Sequence, residues 1–443
     1  MRLKLLKNRL RSGQAVLPPI LAGILQRVAI FQVCITIGFE IVLVLGALSA
    51  QKLTGSDRIF GMATTTIFAT GQLVIALPVG KWMDKYGRRS ILLIGSLAET
   101  VALVMIGIAL LADWPIWFSL GLVALGLGSG AAQMAYLIGG DVFPSSRRAE
   151  GLGIMTTSIA IGIVGGPYLV GLISDLATTL RIDPVITPWF SISAVTAIAS
   201  WLMYGLHPEP LEVARNLHAY FPSDPGSIEV PAEDEPSSSH SLRDLLGYYP
   251  IIASVGIMIC FQGVRLSLVP LLTYILHARN YSLSSSSLMV AAMGLGMVLA
   301  SSLVGTIGDR WGRKKLLLLA ILVGAICAAL LPLVSSFVIM FLLLLTLGMG
   351  YSSALTMTRV IITDATGSHE HGTAMALHSI AMGIAVVVFP TISSYTVSLS
   401  GWSTMTWVGI GLMSLALLLT LFLREIGIGK WDHPGMNDGR TTG

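Results

Sequence analysis

Charged residues are scarce in this chain. Of its 443 residues only 11% are Asp, Glu, Lys or Arg, against about 25% in soluble domains, which excludes an ordinary water-exposed globule. Cysteine is scarcer still. Cys34, Cys260 and Cys327 each sit inside an apolar run with no metal-type spacing, which excludes a disulfide framework and a zinc site and leaves three packing residues. A phosphate-binding Gly-x-x-x-x-Gly-Lys-Ser/Thr loop is missing, which excludes a nucleotide-driven motor within this chain. No nucleophile, base and orienting acid are grouped, so no catalytic residue, cofactor or metal is assigned. The net charge of +4 is small, and the basic residues flank apolar runs instead of forming a patch, which removes nucleic acid from the candidate partners.

What is abundant is hydrophobic sequence, 54% of the residues. At about 20 apolar residues per bilayer crossing, twelve spans are expected at roughly 28–50, 60–79, 90–112, 116–138, 149–174, 187–206, 249–275, 285–304, 316–335, 337–360, 373–397 and 403–423. Six lie on each side of a polar stretch rich in Pro, Ser and acid, which cannot bury enough apolar surface to order itself. The expected organisation is an N-terminal bundle at 1–206, a cytoplasmic linker at 207–245 and a C-terminal bundle at 246–443. No small-residue cleavage site follows the first span, so the basic opening Arg2-Leu3-Lys4 is expected to anchor the chain on the cytoplasmic side. Lys and Arg concentrate in alternate loops together with both termini, and the opposite loops hold only Lys52, Arg58, Arg181 and Arg279. The positive-inside rule therefore puts both termini in the cytoplasm.

One basic loop is written twice. Gly80-Lys81-Trp82-Met83-Asp84-Lys85-Tyr86-Gly87-Arg88-Arg89 returns 225 residues later as Gly305-Thr306-Ile307-Gly308-Asp309-Arg310-Trp311-Gly312-Arg313-Lys314. Such a repeat signals an internally duplicated membrane bundle, the construction of many secondary transporters. Gly80 and Gly87 suit a tight turn between antiparallel helices, and Asp84 is suited to hydrogen-bond helix-terminal amides or pair with a neighbouring arginine. Positive-inside bias explains the basic residues alone; it does not explain Gly and Asp in one register twice.

These loops resemble the Gly-x-x-x-Asp-Arg/Lys-x-Gly-Arg/Lys-Arg/Lys motif of the major facilitator superfamily, and the resemblance extends over all twelve spans. It implies an all-α membrane protein of twelve transmembrane helices in two pseudo-symmetric six-helix bundles around a central cleft, working by alternating access. It also implies that Asp84 latches the outward-facing state, with Asp141 and Arg148 at the end of the fourth span as its partners. Asp364 is the counterpart after the tenth span, where Glu370 and His371 replace the arginines, so Asp84→Ala is expected to damage transport more than Asp309→Ala. Across the fifth span, Gly153, Gly162, Gly166-Pro167 and Gly171 resemble the antiporter signature of the superfamily's drug and proton exchangers, with Val170 where that pattern has glycine. Small residues let helices approach closely, and proline bends a helix. In the fourth span Ala124 stands where a related motif carries a buried arginine associated with proton coupling, a departure from the usual exchanger pattern.

Ionisable side chains at bilayer depth usually face a cavity or a partner. Glu40 and Arg265 are separated by the same 225 residues as the loops, each two residues after a glycine, Gly38 and Gly263. They are therefore equivalent positions, and since the first and seventh helices of this family face each other across the cleft, the two are expected to line it and to pair. Gln32 and Thr36 share the helical stripe of Glu40, and Gln262 lies one turn from Arg265. Gln133, Ser352, Ser353, Thr356 and His378 are further cleft candidates, His378 fitting a packing role equally. Glu99 in the third span suits protonation or a packing hydrogen bond. Met289, Met293 and Met297 make an adaptable apolar face suited to hydrophobic cargo or to core packing. The combined expectation is a monomeric, multi-pass protein of the cell membrane, taking a small amphipathic or hydrophobic substrate, with the proton as coupling ion and the lipid bilayer as surroundings. It exports that substrate, or, in the alternative, takes up a metabolite. A non-transporting sensor is the third reading.

Overall fold

The computed structural model describes residues 18–55, 60–143, 148–221, 248–331, 333–365, 371–427 and 430–431. Twelve long helices occupy them: α1 Pro19–Thr54, α2 Phe60–Tyr86, α3 Arg88–Leu111, α4 Pro115–Asp141, α5 Arg148–Thr179, α6 Thr187–Tyr204, α7 Tyr249–Ala278, α8 Leu283–Trp311, α9 Arg313–Leu330, α10 Phe337–Ala365, α11 His371–Ser400 and α12 Met405–Leu421. Within the described residues eight are long and apolar enough to cross a bilayer. The expected all-α fold holds, with one small addition, a two-stranded ribbon pairing Glu425–Gly427 with Lys430–Trp431.

Local sequence explains the boundaries. Prolines open α1, α4 and α6, where a missing N–H costs nothing and the fixed φ suits a first turn. Prolines inside α2, α5 and α11 are tolerated because neighbouring helices take up the freed backbone groups. Gly87 and Gly312 break α2 from α3 and α8 from α9 at φ 91° and 95°, conformations open to glycine at little cost. Gly80, expected to share in that turn, lies instead within α2. α4 tightens into a 3₁₀ turn at Gln133–Ala135 before its last stretch.

The segment after α6 is more ordered than its composition suggests. Pro210–Arg215 and Leu217–Tyr220 are short helices that bury Val213 and Leu217 beneath the N-terminal bundle. The acidic, serine-rich remainder of the expected linker lies outside the described residues.

Large apolar side chains such as Ile116, Val101, Trp201 and Trp407 stay more than 60% exposed on the outer faces, the surface a lipid solvent requires. Within each half, α1 packs on α5 and α6, and α7 on α11 and α12. The halves meet through α5 on α8, α2 on α11 and α1 on α7. Among the described residues, the named cross-half contacts fall in the middle of the helices and at the ends away from the repeated loops: Thr66 Oγ1 and Thr391 Oγ1 are 2.8 Å apart, and Gly171 abuts Ser284 and Ser287. The molecule is thus closed on the far side.

Candidate functional site

Glu40 and Arg265 meet where the halves join. Arg265 Nη2 donates to Glu40 Oε1 at 3.4 Å, with both side chains buried. The guanidinium also lies over the ring of Tyr351, 5.7 Å from its centroid, an attraction that strengthens away from water. Tyr351 in turn donates from its hydroxyl to Gln262 Oε1 at 2.6 Å. A charge from α1, a charge and an amide from α7 and an aromatic ring from α10 therefore form one chain of contacts. The second oxygen of Glu40 has no hydrogen-bond partner.

The antiporter-like glycines build this place. A Cβ on Gly162 would stand 2.4 Å from Thr36 Cβ, and one on Gly166 would stand 2.7 Å from Glu40 Cβ. Only because both positions lack a side chain does α5 approach the polar stripe of α1 so closely. Pro167 is buried beside them. Gly171 serves the far-side contact with α8, while Gly153 has nothing within 4 Å. Motif and cleft charges, read separately in the sequence, are one structural unit. A small pocket there is lined by Glu40, Arg265, Ile163, Val290, Met293 and Met297, so two of the three periodic methionines face the charged pair.

Other candidates are placed differently. Thr36 donates to Gln32 O at 2.7 Å, and Gln32 Nε2 reaches back to Thr36 Oγ1 at 3.4 Å, which leaves Gln32 Oε1 without a partner. Gln133 bonds Ser129 within its own helix, and Ser353 and Thr356 donate to carbonyls of α10. His378, Asp84, Arg148, Gly305 and Asp309 lie outside the residues whose side chains are described. Glu99 on α3 points inward and is fully buried.

At the loop side the two copies of the basic loop do the same work twice. Arg88 Nε pairs with Asp141 Oδ2 at 3.0 Å, and Arg313 Nε with Asp364 Oδ2 at 2.8 Å. Arg89 donates to the carbonyls of Met203 and Tyr204 at the end of α6. Lys314 donates likewise to the carbonyls of Leu421, the last residue of α12, and of Leu423 just beyond it. Cations are favoured at helix C-termini. Two acids missed in the sequence complete the pattern. Glu209 accepts from the amide of Arg89, and Glu425 from the amides of Arg313 and Lys314, so each caps the exposed N–H groups opening α3 or α9. Asp141, expected to serve Asp84, pairs with Arg88, and the side chain of Asp84 lies outside those described.

The sequence matches the family described as Major Facilitator Superfamily over residues 28–267 and 251–435. It is 23% identical over 379 residues to the MFS-type transporter YdeG of Bacillus subtilis, covering 84% of this chain and 85% of that one. It is also 23% identical over 362 residues to the class B tetracycline resistance protein of Escherichia coli, covering 80% and 84%. Among solved structures it shares its fold with a D-xylose-proton symporter at TM-score 0.69 and 16% identity, covering 92% of this chain and 98% of that one.

Proposed function

Since the chain belongs to the Major Facilitator Superfamily and is a membrane transporter, we propose that it exports a small amphipathic or hydrophobic solute across the cell membrane, coupled to protons. Both termini and the repeated loops face the cytoplasm, and a single chain forms the working unit. The observation that carries this reading is the buried Glu40–Arg265 pair on the seam between halves, seated on Gly162 and Gly166.

A proton added to Glu40 cancels its charge and loosens Arg265, which remains held by Tyr351 and becomes available to a cargo group. Deprotonation restores the pair and expels that group. Met293, Met297, Ile163 and Val290 offer the apolar wall that an amphipathic cargo needs. Similarity to a tetracycline resistance protein supports cargo of this class, and the glycine series supports export. Ala124, in place of the coupling arginine, leaves the coupling open, and similarity to a riboflavin transporter of Brucella anthropi supports one second reading, a metabolite uptake carrier working as symporter or facilitator.

The test uses reconstituted vesicles with an imposed pH gradient and a panel of fluorescent amphipathic compounds. Wild type accumulates a compound only with the gradient in the export direction, and Glu40→Gln loses that dependence. Unchanged transport and pH response in Glu40→Gln removes the assignment; accumulation with the reversed gradient selects uptake.

A further inference from the structure

We infer that Glu99 is a second proton-binding site, held as the neutral acid behind α1 in the far-side-closed arrangement and exchanging its proton during the transport cycle. The coupling part rests on the proton-driven reading above. Glu99 is 0% exposed, and neither carboxyl oxygen has a hydrogen-bond partner. The hydroxyls nearby give it none. Ser96 donates to Leu93 O, Thr100 to Ser96 O and Thr196 Oγ1, Thr196 to Ser193 O, and Ser200 to Ser96 Oγ and Thr196 O. A bare carboxylate so enclosed has lost its water and gained no donor, and such a group takes up a proton.

Among the described residues no cation pairs with it. Glu99 Oε1 lies against Gly38 of α1, where an added Cβ would come within 2.1 Å, with Thr196 of α6 alongside. On α4, Gly128 packs on the backbone of Glu99. Cys34, one turn from Gly38, is the titratable group that α1 turns to this side, and a thiol brings no compensating charge; none of the described polar contacts from α4 or α6 brings a charged group. Glu40 points away on the cleft face of the same helix. The two acids thus flank α1, and a displacement of α1 changes the surroundings of both.

The fold itself does not need this acid. Its counterpart in the C-terminal half, 225 residues on, is Gly324, whose space is filled by Phe261 and Met413. The equivalent of Gly38 is Gly263, which packs on the ring of Phe389. An apolar solution to the same helix contact exists within one chain, yet the N-terminal half keeps a carboxyl.

The test reads the carbonyl stretch of protonated carboxylic acids by infrared spectroscopy on the purified full chain at neutral pH, beside counterflow and gradient-driven transport in vesicles. Wild type and Glu40→Gln show the band, and Glu99→Gln introduced into the Glu40→Gln chain removes it. Glu99→Asp, which keeps the acid if the amide fails to fold, shifts it. In Glu99→Gln, gradient-driven accumulation falls about tenfold, a typical coupling, while downhill counterflow persists. A band that survives when Glu99→Gln is combined with Glu40→Gln, or accumulation with unaltered pH dependence in Glu99→Gln, overturns the inference. If wild type shows the Glu99 band but no gradient response, the proton-driven reading fails and the exchange step with it, while occupancy of the site stands.

Discussion

Tyr351 joins the two ends of the cleft network, and its two contacts separate cleanly by mutation. Tyr351→Phe keeps the ring beneath Arg265 but leaves Gln262 Oε1 buried without its donor, a cost of about 1–3 kcal/mol. The expected result is a lower melting temperature with transport retained, whereas Tyr351→Leu also removes the cation–π contact and weakens cargo-dependent stabilisation. Thermal denaturation with and without a transported compound distinguishes them. The charged pair itself was legible in the sequence, because two intramembrane charges at the repeat distance stand out against apolar neighbours. Tyr351 was not, since an aromatic residue in an apolar helix carries no mark of the guanidinium it faces. Glu99 offered a signal in its spacing from Ser96 and Thr100, one polar stripe on α3; the side of the helix on which that stripe lies was settled only by packing.

On the scale of elements, the approach of α5 to α1 sets the position of Glu40. An added methyl at Gly166 meets Glu40 Cβ and the Ile37 backbone at 2.7 and 3.3 Å, and the helices must part, an overpacking cost of about 1–3 kcal/mol. Gly166→Ala is expected to cut transport strongly at matched expression, and Gly153→Ala, with open space around it, to leave transport unchanged. Initial rates in vesicles compare the two. The glycine series was visible in the sequence as a motif, but its partner was not, because spacing along one helix says nothing about which neighbour fills the groove. The caps were hidden for a similar reason. Glu209 and Glu425 lie more than a hundred residues from the amides they hold, outside any shared motif. Glu209→Gln and Glu425→Gln each lose a charge-assisted cap worth about 1 kcal/mol, so each is expected to lower the melting temperature by a similar amount, as the repeat demands.

For the whole molecule, the far-side seam is the element that must open if cargo is to cross. Thr66→Cys with Thr391→Cys places two thiols where the hydroxyl oxygens are 2.8 Å apart, within disulfide reach. Oxidation is expected to link them and stop transport, and reduction to restore it; the native cysteines are buried and do not interfere. Linking without loss of transport, followed on gels and in vesicles, would mean that the seam stays shut throughout the cycle.

The two sets of loop-side fastenings also fix an order of completion at the ribosome. Asp141, Met203, Tyr204 and Glu209, which hold Arg88 and Arg89, have all been synthesised once Glu209 emerges, so the first bundle can be secured while the second is still untranslated, as multidomain chains generally fold. The second bundle waits for Glu425, which follows the last of its helices. A premature stop just ahead of that codon would spare all twelve helices and still leave the start of α9 uncapped, yielding a protein that inserts in full yet is prone to quality-control degradation.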